Sequence, residues 1–383
     1  MSVLKLKSDE MRRQQNRLRR FPMSMFGLIV DKCKALMRAK SRARRRQRDT
    51  SLPDDLISLR FFPSPIDLPF PVQFIYLPHY PHYQFKERDC QNAIGSSCNG
   101  LFCVLCHHTP IRGVWFRLWN PAMGTMSNKL GHFSYLMRGL YTYYKFAFGF
   151  DNSSETYKVV MLTLDVVENR THVQVLSVGD NIWRTIQSFP AVPLPNCYKN
   201  QGGSDGVYLN GRLNWLAIQD RLVSVYGWEE NIKAKEFAIV SLYTETKSFT
   251  RLMPPRGFDE MSNVKPSVCI LKGSLCFSHD FKRTEFIMWQ MKIFGVEEPW
   301  TQLLKISYQN LRTRFHDFAD LEYCQLSPLH LYDQSDTRIL ANNQEQRAIL
   351  YNLRDNTAKR TKIINEIHWF SAKVYVESFV SYI

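Results

Sequence analysis

The sequence predicts an all-β protein: a β-propeller of about five to six four-stranded blades, preceded by a basic, partly helical N-terminal arm. Three observations carry that reading. Aromatic residues make up 13% of the chain, and aromatics favour pleated, half-buried surfaces. Tight-turn hairpin signals recur about every 60 residues from residue 92 towards the end, a spacing typical of repeat architectures. A second hairpin falls in phase inside each unit, so each unit supplies two hairpins, the content of one blade.

Three hairpins are the clearest. They run over Ser97–Cys103, Tyr208–Trp215 and Ile270–Cys276, turning at Asn99-Gly100, Asn210-Gly211 and Lys272-Gly273. Asn-Gly between apolar residues is the strongest short hairpin signal, because both turn residues need positive φ. Looser equivalents turn at Asn152-Ser153 and Gln334-Ser335. The second hairpins turn near Asn120, Asp180, Glu245, Val296 and Asp355, and the strand that follows often opens with an aromatic, as at Trp183, Phe249 and Trp300. An irregular β-sandwich need not repeat two hairpins in phase. Stacked blades must, since one four-stranded sheet cannot bury both of its faces alone. The strand-like runs Val72–Phe85 and Trp369–Tyr382 are placed to complete a sixth blade from both ends of the chain. In such a ring the tight turns share one face. The longer connections, 123–145, 188–205, 218–237, 253–267 and 306–327, share the other, and a partner is expected there, because loops on a rigid scaffold carry recognition.

Charge divides the chain. Residues 1–50 hold 16 Lys and Arg against 4 Asp and Glu, which leaves 34 against 31 for the remainder. The basicity therefore belongs to the arm, where Phe26, Ile29, Val30, Cys33, Leu36 and Met37 suggest a short amphipathic helix. Arg42, Arg44, Arg45, Arg46 and Arg48 form its densest cluster, a candidate nuclear-localisation or nucleic-acid segment. A solvated tail is the competing explanation. The nearly neutral body gives no ground for a nucleic-acid partner. Residues 58–91 are expected to be a linker, rich in proline from Pro63 to Pro81, with a closing strand.

The nine cysteines are an odd number and several sit in apolar runs, so reduced, intracellular thiols are expected. The apolar run Met25–Val30 is too short to span a bilayer, and neither a signal peptide nor a membrane partner is expected. Cys98, Cys103 and Cys106 have a C-x4-C-x2-C spacing with His107 and His108 behind, but the equivalent positions of other units hold Leu, Trp and Phe. They read as buried small apolar residues, and neither metal nor cofactor is expected. His316, Asp317 and Asp320 read as a mixed-charge loop. No phosphate loop, nucleophile elbow or zinc-protease motif is present, so no catalytic residue is assigned and no enzyme is expected.

Seven stretches in order, Ser97–Leu101, Leu118–Ala122, Phe148–Asp151, Tyr157–Val160, Val178–Arg184, Gly211–Ala217 and Phe294–Thr301, resemble the F-box associated region of plant F-box proteins. The resemblance is strong over residues 92–310. The double glycine of true kelch blades does not recur, since Gly202-Gly203 stands alone in a loop. The resemblance implies a cytoplasmic or nuclear substrate receptor of a Skp–cullin–F-box ubiquitin ligase, in which the F-box grips the Skp adaptor and the propeller at 92–383 captures a protein for ubiquitin-dependent degradation. The alternative is a nuclear nucleic-acid-binding protein acting through its arginine arm. Ser51 with Leu52, Pro53, Asp54, Asp55, Leu56 and Ile57 resembles the opening of an F-box, but proline-rich sequence follows at once and the first tryptophan is Trp115. Residues 51–57 are therefore read as an F-box remnant, with adaptor binding weak or lost.

Overall fold

The computed structural model describes residues 56–62, 72–76, 90–108, 113–120, 123, 125–134, 142–165, 168, 170–194, 206–219, 232–259, 264–294, 300–315, 325–331, 337–342, 348–360 and 368–374. The arm, with Arg42, Arg44, Arg45, Arg46 and Arg48, and the segment Leu52–Asp55 lie outside them.

The described strands form six antiparallel sheets. Strands β1 (Leu56–Phe62) and β2 (Val72–Tyr76) come first but belong to the last sheet. Sheet one holds β3 (Cys90–Cys98), β4 (Leu101–His108), β5 (Gly113–Asn120) and an outer strand split into β6 (Thr125–Met126) and β7 (Leu130–Ser134). Sheet two is β8 (Thr142–Asp151), β9 (Thr156–Asp165), β10 (Arg170–Ser177) and β11 (Ile182–Thr185). In sheet three the inner strand is split into β12 (Val192–Pro193) and β13 (Val207–Leu209), both on β14 (Arg212–Ile218), followed by β15 (Phe237–Tyr243) and β16 (Phe249–Leu252). Sheet four is β17 (Ser267–Leu271), β18 (Ser274–Phe281), β19 (Glu285–Met291) and β20 (Trp300–Ser307). Sheet five is β21 (Leu326–Leu331), β22 (Thr337–Asn342), β23 (Ile349–Asn352) and β24 (Thr357–Arg360).

The last strand, β25 (His368–Val374), pairs with β1, which pairs with β2, so the closing sheet draws on both ends of the chain. Around the centre β3 touches β8, β8 touches β13, β13 touches β17, β17 touches β21, β21 touches β25 and β25 returns to β3. Leu56 and Ile57 thus stand in a closing strand, opposite Val374 and Lys373. The residues expected to be linker contain both β1 and β2, and β3 already begins at Cys90.

The turns follow the chemistry read from the sequence. Asn99-Gly100, Asn210-Gly211 and Lys272-Gly273 all have positive φ at both positions. The second turns place Asn181, Lys247 and Asn356 in the left-handed region, where asparagine is tolerated best after glycine. One helix, α1 (Tyr308–Arg314), follows β20, inside a connection expected to be loop. Buried Tyr308 and Leu311 anchor it, and Tyr308 N–H donates to Thr284 O at 2.9 Å.

Sheet three shows how a sheet buries both faces by strand alternation. In β14, Leu213, Trp215 and Ala217 pack with Val160, Leu162 and Val173 of sheet two, while Leu216 and Ile218 pack with Leu275 and Phe277 of sheet four. The aromatics that open the outer strands clasp the preceding sheet. Trp183 Nε1 donates to Gly131 O at 3.1 Å, and Gly131 N donates to Asn181 Oδ1 at 2.7 Å. Trp300 Nε1 donates to Met253 O at 3.1 Å, and Phe249 meets Phe189 edge-on.

Sheets two and three are also joined at the tight turns. Asp151, buried at the end of β8, accepts from Ser153 N and Oγ and from Lys247 Nζ of sheet three at 3.1 Å, with Lys158 Nζ at 3.8 Å. Tyr208 OH donates to Phe150 O at 3.0 Å. Burial of Asp151 opposes its ionisation, but the bonds from Ser153, Lys247 and Ser154 outweigh it and hold the carboxyl at about 2.

Two outcomes are expected. Gly131 has φ +58° and an added Cβ would overlap Leu176 Cδ2, whereas Gly273, at φ +67°, has open space around it. In urea titrations Gly131→Ala should therefore cost about 3 kcal/mol and Gly273→Ala about 1 kcal/mol. For Asp151 the folded pKa lies below the unfolded one. Its contribution is full above an ordinary carboxylate pKa and disappears as pH falls towards 2. The stability gap between wild type and Asp151→Asn should be about 2 kcal/mol at pH 7 and close between pH 5 and pH 2.

Candidate functional site

The face that bears the long connections is built, over sheets three and four, from three described pieces: residues 253–259 after β16, the hairpin 280–285 between β18 and β19, and α1 after β20. Residues 253–259 are pinned from below. Phe258 is buried and its ring meets Phe237, Phe277 and His279 with centroids 5.4, 5.1 and 5.0 Å away. Gly257 lies directly on Trp289, where any side chain would collide with the indole. Phe258 N–H closes a turn onto Pro255 O. With its carbonyl held by Trp300, Met253 is left 45% exposed.

Beneath this lid His279 is buried, and its Nε2 lies 3.3 Å from Trp289 Nε1. An indole N–H only donates, so Nε2 accepts and Nδ1 carries the proton, facing Asp280 O at 3.4 Å. Burial pushes the imidazole pKa down, against the pull of Asp280 and Asp259, so the ring is neutral near pH 7.

The hairpin turns on Lys282 and Arg283, at φ +51° and +58°. Neither is glycine, and such backbone costs roughly 1–2 kcal/mol per residue. Buried Asp280 offsets it, accepting from Arg283 N and from Arg283 Nη1, both at 2.8 Å. The turn leaves Lys282 exposed beside α1, whose last turn exposes Arg312 and Arg314. Such a surface suits docking of another macromolecule: an apolar side chain and several cations on a rigid base.

The sequence-derived candidates fall as follows. Cys98, Cys103 and Cys106 are buried. Cys103 and Cys106 are three apart in one strand and so point to opposite faces of the sheet. Burial pushes the thiol pKa of Cys98 and Cys103 up. The side chains of His107 and His108, and residues His316, Asp317 and Asp320, lie outside the described set. The long connections are described only in part, with 135–141, 195–205, 220–231, 260–263 and 316–324 outside it. Among the described residues, the structure brings together one trio with metal-ligating chemistry that the sequence did not flag. Asp165, Glu168 and His172 flank the middle turn of sheet two, with ligand atoms within 4.8 Å of one another. Met253, Lys282 and the Asp280–Arg283 clasp were also missed; the Asp-Phe-Lys-Arg run is their only sequence signal. Among the described residues no helix is long and apolar enough to cross a membrane.

A ring of antiparallel sheets of this kind defines a β-propeller. The chain belongs to the family described as the F-box associated beta propeller domain, whose model matches residues 75–382. It is similar to an F-box/kelch-repeat protein of Arabidopsis thaliana, 26% identical over 57% of this chain and 54% of that protein. A second F-box protein of Arabidopsis thaliana is 29% identical over 48% and 54%. The chain thus spans about half the length of the curated relatives it matches. Among solved structures it is similar to a chain of a nidogen–laminin complex, at 9% identity and a TM-score of 0.43, covering 84% of this chain and 99% of that one.

His279 yields a pH test. Its folded pKa lies below the ordinary value of 6.5, so its neutral form is favoured by the fold, and stability should fall as pH drops below 6.5. Urea midpoints measured from pH 7.5 to pH 5 should show this slope in wild type and a shallower one in His279→Phe.

Proposed function

We propose that this chain is a non-enzymatic protein-binding module of the substrate-recognition kind, which takes its protein partner on the face bearing the long connections. The observation that carries the reading is the family match over residues 75–382, which covers sheets one to five and the last strand, β25. The F-box proteins to which the chain is similar support the ubiquitin-ligase setting. The chain works in the cytoplasm or nucleus, and its link to the Skp adaptor is weak or lost. A stable interface needs roughly 800 Å² from each partner. Of the seven residues that resemble an F-box opening, Leu56 and Ile57 are engaged in β1, which supports a remnant too small for that interface.

Purified full-length chain should show no capture of purified Skp adaptor at concentrations up to about 1 μM. Adaptor binding tighter than this, and lost in Leu52→Ala/Pro53→Ala, would mean that the F-box is intact. In affinity capture from plant tissue, partners identified by mass spectrometry should be depleted by Met253→Ser/Lys282→Glu and retained by Lys272→Glu on the opposite face. The reverse pattern would move the partner site to the tight turns.

A further inference from the structure

The tight-turn face carries a second arrangement, at the seam of sheets three and four. Arg212 opens β14, and its side chain leaves the strand towards sheet four, on the same side as Leu216 and Ile218. Its guanidinium carbon stands 4.2 Å from the ring centroid of Tyr243 and 4.5 Å from that of Phe294. Tyr243 is its cross-strand partner in β15, and Phe294 comes from the turn after β19. The cation therefore stands over two aromatic rings supplied by two different sheets. All three residues are half-buried.

The other half-buried or ordered arginines show what is unusual. Arg283 donates through Nη1 to Asp280, Arg184 through Nη2 to Asp180, Arg170 through Nε to Ser188 and Arg251 through Nη2 to Pro190 O. Arg212 contacts ring faces, and no carboxylate, hydroxyl or carbonyl of the described residues accepts from its guanidinium. Ring faces attract the cation but do not satisfy its N–H groups, which lie in the guanidinium plane. The N–H edge of the group is therefore what it offers to a partner. That edge presents parallel N–H donors in a fixed fork, whose orientation has already been set by packing.

We propose that Arg212, framed by Tyr243 and Phe294, is a carboxylate-binding subsite on the tight-turn face, fitted to an acidic side chain of a protein partner. A carboxylate is planar and can lie in the plane of the fork, accepting two parallel bonds from it. A tetrahedral phosphate cannot place all its oxygens in that plane. Lys292, exposed on the neighbouring turn of sheet four, adds attraction for an anion on approach. This subsite is separate from the partner face proposed above and does not depend on it.

The test uses full-length chain and sodium acetate, followed through the arginine Nε–Hε signals by NMR at constant ionic strength, with chloride as the exchanged anion. Arg212→Lys assigns the signal by its loss. The Arg212 signal should shift saturably with half-saturation below about 20 mM, at least tenfold tighter than any other arginine signal. Phe294→Leu, which keeps an apolar contact but removes the ring face, should weaken the response at least threefold while thermal melting shows the fold retained. A shift that does not saturate, or that matches the exposed arginines, overturns the proposal and leaves Arg212 as a staple between sheets. Inorganic phosphate saturating the signal at a tenfold lower concentration than acetate overturns the carboxylate assignment. An acetate response unchanged in Phe294→Leu overturns the role of the rings.

Discussion

The pairing of Leu56–Phe62 with His368–Val374 joins the two ends of the chain, and the rest of the ring depends on it. A four-stranded sheet exposes two faces and cannot bury both alone. Sheet three does so by lying between two neighbours, with β14 packed against sheets two and four. An open row would leave its first and last sheets with bare apolar faces and free edges. Closing the row with strands from both termini removes those ends, and separating the ends then requires breaking backbone hydrogen bonds.

The clasps between sheets follow from the same requirement. Trp183 and Trp300 each combine apolar area with one N–H, and each places that N–H on a carbonyl of the preceding sheet. This fixes the spacing between neighbours as well as burying surface. Gly131, against Leu176 and Trp183, and Gly257, against Trp289, mark points where backbone and side chain approach too closely for a Cβ. The Asp151–Lys247 bond does the equivalent job at the tight turns with charge. Rigidity of this kind is what allows loops and turns to present side chains such as Met253 and Lys282 in fixed positions.

The two faces of the ring differ in how they could recognise a partner. The face with the long connections offers Met253 above a buried aromatic lid, and a strained turn kept in place by Asp280. The tight-turn face is mostly occupied by its own bonds. Thr244 Oγ1 lies 3.1 Å from Phe150 O and 2.9 Å from Gly211 O, and Tyr208 OH donates to Phe150 O. Arg212 departs from that pattern, because its neighbours are ring faces.

Much of the fold was legible in the sequence because its signals are local. Positive-φ turns demand Asn-Gly or its equivalents, strands demand alternation, and the repeat in phase demands stacking. Hairpin positions, the aromatic openings at Trp183, Phe249 and Trp300, and a closing sheet built from both ends all follow from such signals. What each aromatic clasps could not be read, because Gly131 is 52 residues from Trp183 and Met253 is 47 from Trp300. Leu56 and Ile57 show the same limit: locally they resemble the start of an F-box, and only pairing with Lys373 and Val374 puts them in a strand. The functional surface was the least legible part. The His279–Trp289 bond, the Asp280 clasp and the Arg212 ring contacts each depend on where sheets and turns meet in space. The sequence by itself determined the hairpins and their order, since each needs only neighbours along the chain. The tertiary structure alone decided which charges are paired, covered or left open, since that depends on side chains brought together from different sheets.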